Sequence, residues 1–131
     1  MPTDALIALQ ASVTKTATFN GSPVILPGGT PRRGLVARVI YSNATNVSGS
    51  NSIVFSIDVC YDGGPTTWNA DFLAPAIALS TTAQSGEIFI PFSISPTSVP
   101  NGTQIRLTAT FSGAGSTPTI TYQGDLQLSR P

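Results

Sequence analysis

The sequence predicts an all-β protein: a single-domain antiparallel β-sandwich, jelly-roll-like, of about eight strands. Three observations predict it. First, several stretches alternate apolar and polar residues with a period of two, the plainest being NSIVFSIDVCY at 51–61. There Ile53, Phe55, Ile57, Val59 and Tyr61 share one face, and Val54, Ser56, Asp58 and Cys60 share the other, which is the pattern of a strand with one buried side. Second, charged residues make up only 9% of the 131 residues, against roughly 25% in an average soluble domain. Their place is taken by 17 Thr and 15 Ser, and Thr suits a pleated, half-wet surface. Third, 12 Gly and 11 Pro punctuate the alternating stretches at fairly even spacing, as turns do in a sandwich.

The elements follow in chain order. Residues 5–13 (ALIALQASV) place Ile7, Leu9, Ala11 and Val13 on one face. A helix capped by Asp4 is the competing reading, but the alternation continues through Thr14, Thr16 and Thr18, which favours a strand. Asn20-Gly21 is a tight-turn dipeptide, and residues 22–26 form a short strand stopped by Pro27-Gly28-Gly29. Residues 35–41 are apolar on both faces in part, which suggests a central strand or one covered by a partner, and 42–51 read as a polar loop. The 53–61 strand closes at Asp62-Gly63-Gly64-Pro65. A short strand fits 66–72, which holds the only Trp, and Pro75 interrupts the apolar run 73–79. Residues 86–94 point Ile88, Ile90, Phe92 and Ile94 inward, while Pro91, lacking a ladder donor, marks an edge strand or a bulge. Residues 104–111 and 118–128 alternate cleanly on either side of SGAGS at 112–116, which reads as a flexible hairpin connection, and Gly124 marks a bend or bulge.

Composition also bounds the function. The formal net charge is zero, so the basic surplus of a nucleic-acid binder is lacking, and no apolar run is long enough to span a bilayer. A neutral, Thr/Ser-rich surface suits a protein that packs against other proteins. The chain has no His, which removes the commonest general base and the commonest zinc ligand. Cys60 is the only cysteine and has no basic sequence neighbour, so it reads as a packed, inert thiol. The six carboxylates are scattered singly; Asp58, Asp62, Asp71 and Glu87 would have to converge to form a calcium site or a glycosidase pair. The expectation is therefore no catalytic residue, no metal and no cofactor. The N-terminus lacks a basic region followed by an apolar stretch, which points to synthesis in a cytoplasm. Four N-x-S/T triplets, at Asn20, Asn43, Asn46 and Asn101, read as chance products of the composition.

Candidate contact residues remain. Arg32 and Arg33 sit together on a Pro/Gly-rich loop and suit an acidic partner surface, or are simply solvated. Trp68, Phe72 and Phe89 are candidate exposed aromatics, Phe89 because alternation turns it away from Ile88 and Ile90. Trp68 with Tyr61 and Asp71 is the one set suited to line a sugar-binding groove. Residues 1–20 are either the first strand of the sandwich or an arm swapped onto another chain.

The order of motifs resembles the small capsid cement, or decoration, proteins of tailed bacteriophages. The features carrying the resemblance are GLVARVIYSNATNVSGSNSIVFSIDVCYDGG at 34–64, EIFIPFSI at 87–94 and QIRLTATFSGAGSTPTITYQGDLQL at 104–128. The resemblance implies a jelly-roll-like sandwich on the outside of a virion, bridging major capsid protein subunits and associating with itself as a dimer or trimer. It assigns no role to an individual residue. The alternative from the residues is a carbohydrate- or receptor-binding sandwich module.

Overall fold

The computed structural model describes residues 6–26, 34–60, 68–94 and 103–128. These residues form ten strands and no helix. The strands are β1 (Leu6–Lys15), β2 (Phe19–Asn20), β3 (Val24–Ile25), β4 (Leu35–Thr45), β5 (Asn51–Cys60), β6 (Asn69–Leu73), β7 (Ile77–Ala78), β8 (Gln84–Phe92), β9 (Gln104–Gly113) and β10 (Thr119–Leu128).

They build two antiparallel sheets packed face to face. One has the order β1-β10-β4-β8, the other β2-β9-β5-β6, with β3 also on β9 and β7 also on β5. β2 with β3, and β6 with β7, are therefore two strand positions each broken in the middle. Counted by position, eight strands remain, four to a sheet, and the chain passes between sheets as in a jelly roll. The breaks have local causes. At Gly21 a Cβ would stand 2.6 Å from the Leu107 carbonyl oxygen, and Pro75 cannot donate to a ladder. Asn20-Gly21 is thus a strand interruption rather than a hairpin turn: Asn20 pairs with Thr108, and the Gly21 amide donates to the Leu107 carbonyl at 2.8 Å.

The core lies between the sheets. Leu35, Ala37 and Val39 of β4, and Ile120, Tyr122 and Leu126 of β10, face Ile53, Phe55, Ile57 and Val59 of β5 and Ile105, Leu107 and Ala109 of β9; all are buried. Phe55 and Tyr122 meet across the layer edge to face, with centroids 4.9 Å apart. The alternation of 53–59 is confirmed; Tyr61 lies outside the described residues. β4 sits between β10 and β8 as a central strand, and β8 with Pro91 is an edge strand.

Two readings need correction. The SGAGS segment does not join a hairpin: β9 and β10 lie in different sheets. Nor is it a loose connection. Gly115 N donates to Ser50 O, Ser116 N to Ser48 O and Val47 N to Ser116 O, which lashes it to the β4–β5 crossover. Asn46 is buried there, its Nδ2 donating to Gly49 O and Asn51 Oδ1, both at 3.1 Å, so its glycosylation triplet is structural. Second, β1 does not keep one apolar face throughout. Its register against β10 shifts on both sides of Gln10, so Leu9 is buried, Val13 half-buried and Ala11 exposed. Gly124 lies opposite Gln10, and the room left by its missing side chain is filled by the Leu107 methyl.

Candidate functional site

The two sheets turn very different outer faces to the surroundings. On the six-stranded sheet, the face opposite the core carries Ser56, Asp58 and Cys60 of β5 and Gln104, Arg106 and Thr108 of β9. Register places Asp58 beside Arg106 and Ser56 beside Thr108. The Asp58 carboxylate is buried and fully engaged. Ser56 Oγ donates to its Oδ1 at 3.0 Å, while Thr108 Oγ1 at 2.6 Å and Arg106 Nε at 3.0 Å both donate to Oδ2. A buried charge is tolerable only with such partners. Arg106 in turn lies over the Trp68 ring, 4.4 Å from its centroid. Asp58 is therefore not a sheet-surface residue, as alternation alone suggests, and Cys60 beside it is buried as well.

The outer face of the four-stranded sheet is the open one. Register sets two rows across it. Asp125 of β10, Arg38 of β4 and Phe89 of β8 form one; Gln123, Ile40 and Glu87 form the next. Arg38 Nη2 donates to Asp125 Oδ2 at 3.0 Å, and its Nη1 lies 3.6 Å from Glu87 Oε2. The hydrogen bond to Asp125, then the charges of Asp125 and Glu87, raise the Arg38 pKa above its ordinary value, so the guanidinium stays charged. Around this ion cluster stand Phe89, 51% exposed, and Ile40, 36% exposed. Arg38 Nε and Asp125 Oδ1 are buried with no hydrogen-bond partner among the described residues.

The residues singled out from sequence scatter over this structure. Phe89 stands exposed on the open sheet face. Phe72 turns inward: it packs against the core and meets Phe92 with centroids 5.8 Å apart. Trp68 is half-buried against Arg106. Arg32, Arg33, Tyr61 and the side chain of Asp71 lie outside the described residues, so the Trp68–Tyr61–Asp71 set cannot be assembled from them. Among the described residues no group of three or more His, Cys, Asp or Glu stands together. Cys60 is buried.

Sequence reasoning missed Arg38, Ile40, Glu87 and Asp125 as one surface, and Asp58 with Arg106 as one pair. A signal exists: each is a lone charge or apolar residue at an outward position of an alternating strand. What joins them is strand order. β4, β8 and β10 are neighbours although dozens of residues separate them in the chain.

Comparison with known proteins adds little. No family model matches the chain, and no curated protein matches it. Among solved structures, the N-terminal cellulose-binding domain of β-1,4-glucanase C from Cellulomonas fimi aligns over 98% of this chain and 80% of its own, at 18% identity and a TM-score of 0.39.

Proposed function

We propose that this chain is a non-catalytic binding module that adheres through the outer face of its four-stranded sheet. The carrying observation is Phe89 and Ile40, exposed on an otherwise regular sheet face and set around the Arg38–Asp125–Glu87 ions. Exposed apolar side chains rimmed by charge are the anatomy of a contact surface. The resemblance to capsid cement proteins supplies the occupant. The face docks on the outer surface of a tailed-phage capsid and helps bridge major capsid protein subunits, with many symmetry-related copies multiplying a modest single contact. Localisation is then the virion exterior.

A second reading has its own observation. Phe89 presents an exposed ring beside Arg38, with the exposed carboxylate of Glu87 on the same strand. A sugar ring stacked on Phe89 could hydrogen-bond that carboxylate through its hydroxyls. Binding assays separate the two. The protein is co-sedimented with capsids of the phage that encodes it, and in parallel applied to a glycan array. The capsid reading expects co-sedimentation that Phe89→Ser with Ile40→Ser weakens at least tenfold. Array binding with no capsid binding would transfer the function to the sugar reading. Full binding by the double variant to either target would remove the face from consideration.

A further inference from the structure

The open sheet face carries a carboxylate that Arg38 does not satisfy. Arg38 Nη2 donates to Asp125 Oδ2 at 3.0 Å, and the Asp125 side chain is largely shielded. Glu87 is left at the rim. Its Oε2 stands 3.6 Å from Arg38 Nη1, beyond hydrogen-bond distance, and its side chain is 44% exposed. One cation faces two anions, so the cluster keeps a surplus negative charge, and the exposed end of it is Glu87.

The surroundings of Glu87 are apolar. Phe89 lies two residues further along β8 on the same face, roughly 6.5–7 Å away at the rise of a strand, and it is half exposed. Ile40 is the register partner of Glu87, and Pro91 is exposed beyond Phe89. The carboxylate calls for a charged donor, the ring for a cation over its face, and Ile40 for an aliphatic stem. Arginine combines all three. Its planar guanidinium bonds a carboxylate along its edge while its face lies on a ring, whereas a lysine ammonium is a strongly hydrated point charge with no flat face. The chain already contains this arrangement. Arg106 donates through Nε to Asp58 at 3.0 Å, with its guanidinium carbon 4.4 Å from the Trp68 ring centroid. Glu87 and Phe89 repeat the carboxylate and the ring on the other sheet, with no cation stacked on the ring among the described residues.

We infer that Glu87, Phe89 and Ile40 form a receptor for one arginine side chain of the protein docked on this face. The inference rests on the docking reading and names what that partner supplies. The guanidinium pairs with Glu87, cancels the surplus charge and stacks on Phe89, while its methylene stem covers Ile40. Charge then alternates in sign across the face, from Asp125 to Arg38 to Glu87 to the incoming arginine.

Glu87→Gln is the central test, since the amide keeps the size and removes the charge. Glu87 is exposed and Arg38 keeps Asp125, so the urea midpoint of this variant should match wild type. On capsids of the phage that encodes the chain, Glu87→Gln should weaken co-sedimentation about fivefold or more, and Glu87→Lys further still. Raising NaCl from about 0.05 to 0.5 M should weaken wild type more than Glu87→Gln, because screening acts on a charge pair that is present. A second arm needs no capsid. In NMR titrations with N-acetyl-arginine amide, the resonances of Glu87, Phe89 and Ile40 should shift; with the citrulline analogue, which is uncharged and of the same shape, they should stay in place. An equal response to the two amides would overturn the inference. So would capsid binding by Glu87→Gln at wild-type strength: where Phe89→Ser with Ile40→Ser is weakened and Glu87→Gln is not, the docking face stands and the arginine falls. A wild-type chain that ignores capsids yet answers to arginine amide at these residues strikes the docking reading and leaves the receptor. Glycan-array binding that Glu87→Gln abolishes, with no arginine response, gives the patch to a sugar and overturns the inference.

Discussion

Asp58 and Tyr122 are the polar residues whose burial shapes the molecule most. Asp58 receives three side-chain donors, from Ser56, Thr108 and Arg106. Removing Arg106 leaves a buried carboxylate without the cation it pairs with among the described residues. We expect Arg106→Leu to cost about 3 kcal/mol, the lower end for breaking a buried pair, because Arg106 keeps some exposure. Asp58→Asn, which retains an acceptor for Thr108, should cost less, about 1–2 kcal/mol. Urea unfolding measures both, and Trp68 fluorescence should shift in Arg106→Leu because the guanidinium leaves the ring. Tyr122 is a different case. Burial pushes its phenol up from 10.0 to about 12, and its hydroxyl lacks a hydrogen-bond partner among the described residues. The unfolded chain loses this proton first. Stability contributed by the neutral phenol is therefore whole below pH 10 and falls as pH rises from 10 through about 12. The urea midpoint should decline across that window, and part of the tyrosinate absorbance should appear only near its upper end. A midpoint that stays flat there in the wild type would contradict this burial.

At the scale of elements, the crossovers matter more than the strands. The β9-to-β10 passage depends on Gly113, whose φ of +105° falls where L side chains are strained, and a Cβ there would collide with the Ser50 carbonyl oxygen. Gly113→Ala should cost at least about 2 kcal/mol, the strain and the clash acting together. A thermal shift near zero would mean the segment is looser than its hydrogen bonds to Ser48 and Ser50 indicate. The edges show a second device. β8 carries Pro91 and the charge of Glu87, and β1 carries its bulges and Lys15. Each is a known obstacle to uncontrolled edge-to-edge association.

The whole molecule separates stability from surface. The core is apolar and layered between the sheets, while the open face holds Phe89 and Ile40 out of it. Leu107→Ala, at a fully buried position, should cost about 2–5 kcal/mol. Phe89→Ser should change stability by no more than about 0.5 kcal/mol while weakening binding. Denaturant midpoints for the two variants, set beside their binding, test this division. Comparable destabilisation by both would show Phe89 to be part of the packing rather than a contact.

Much of the fold was legible because a period of two is a local property: residues 53–59, 105–109 and the outward turn of Phe89 follow from where apolar side chains fall along one strand. The eight strand positions and the edge place of β8 follow from Pro and Gly, which act on their own backbone. The site was less legible. Whether an outward face is covered or open is not written in its own strand, so Asp58 reads as surface yet is buried, and Trp68 reads as exposed yet lies against Arg106. Strand order is a property of the closed sandwich. It alone brought Arg38, Glu87 and Asp125 together, sent β9 and β10 to opposite sheets, and made Phe89 and Ile40 neighbours on one face.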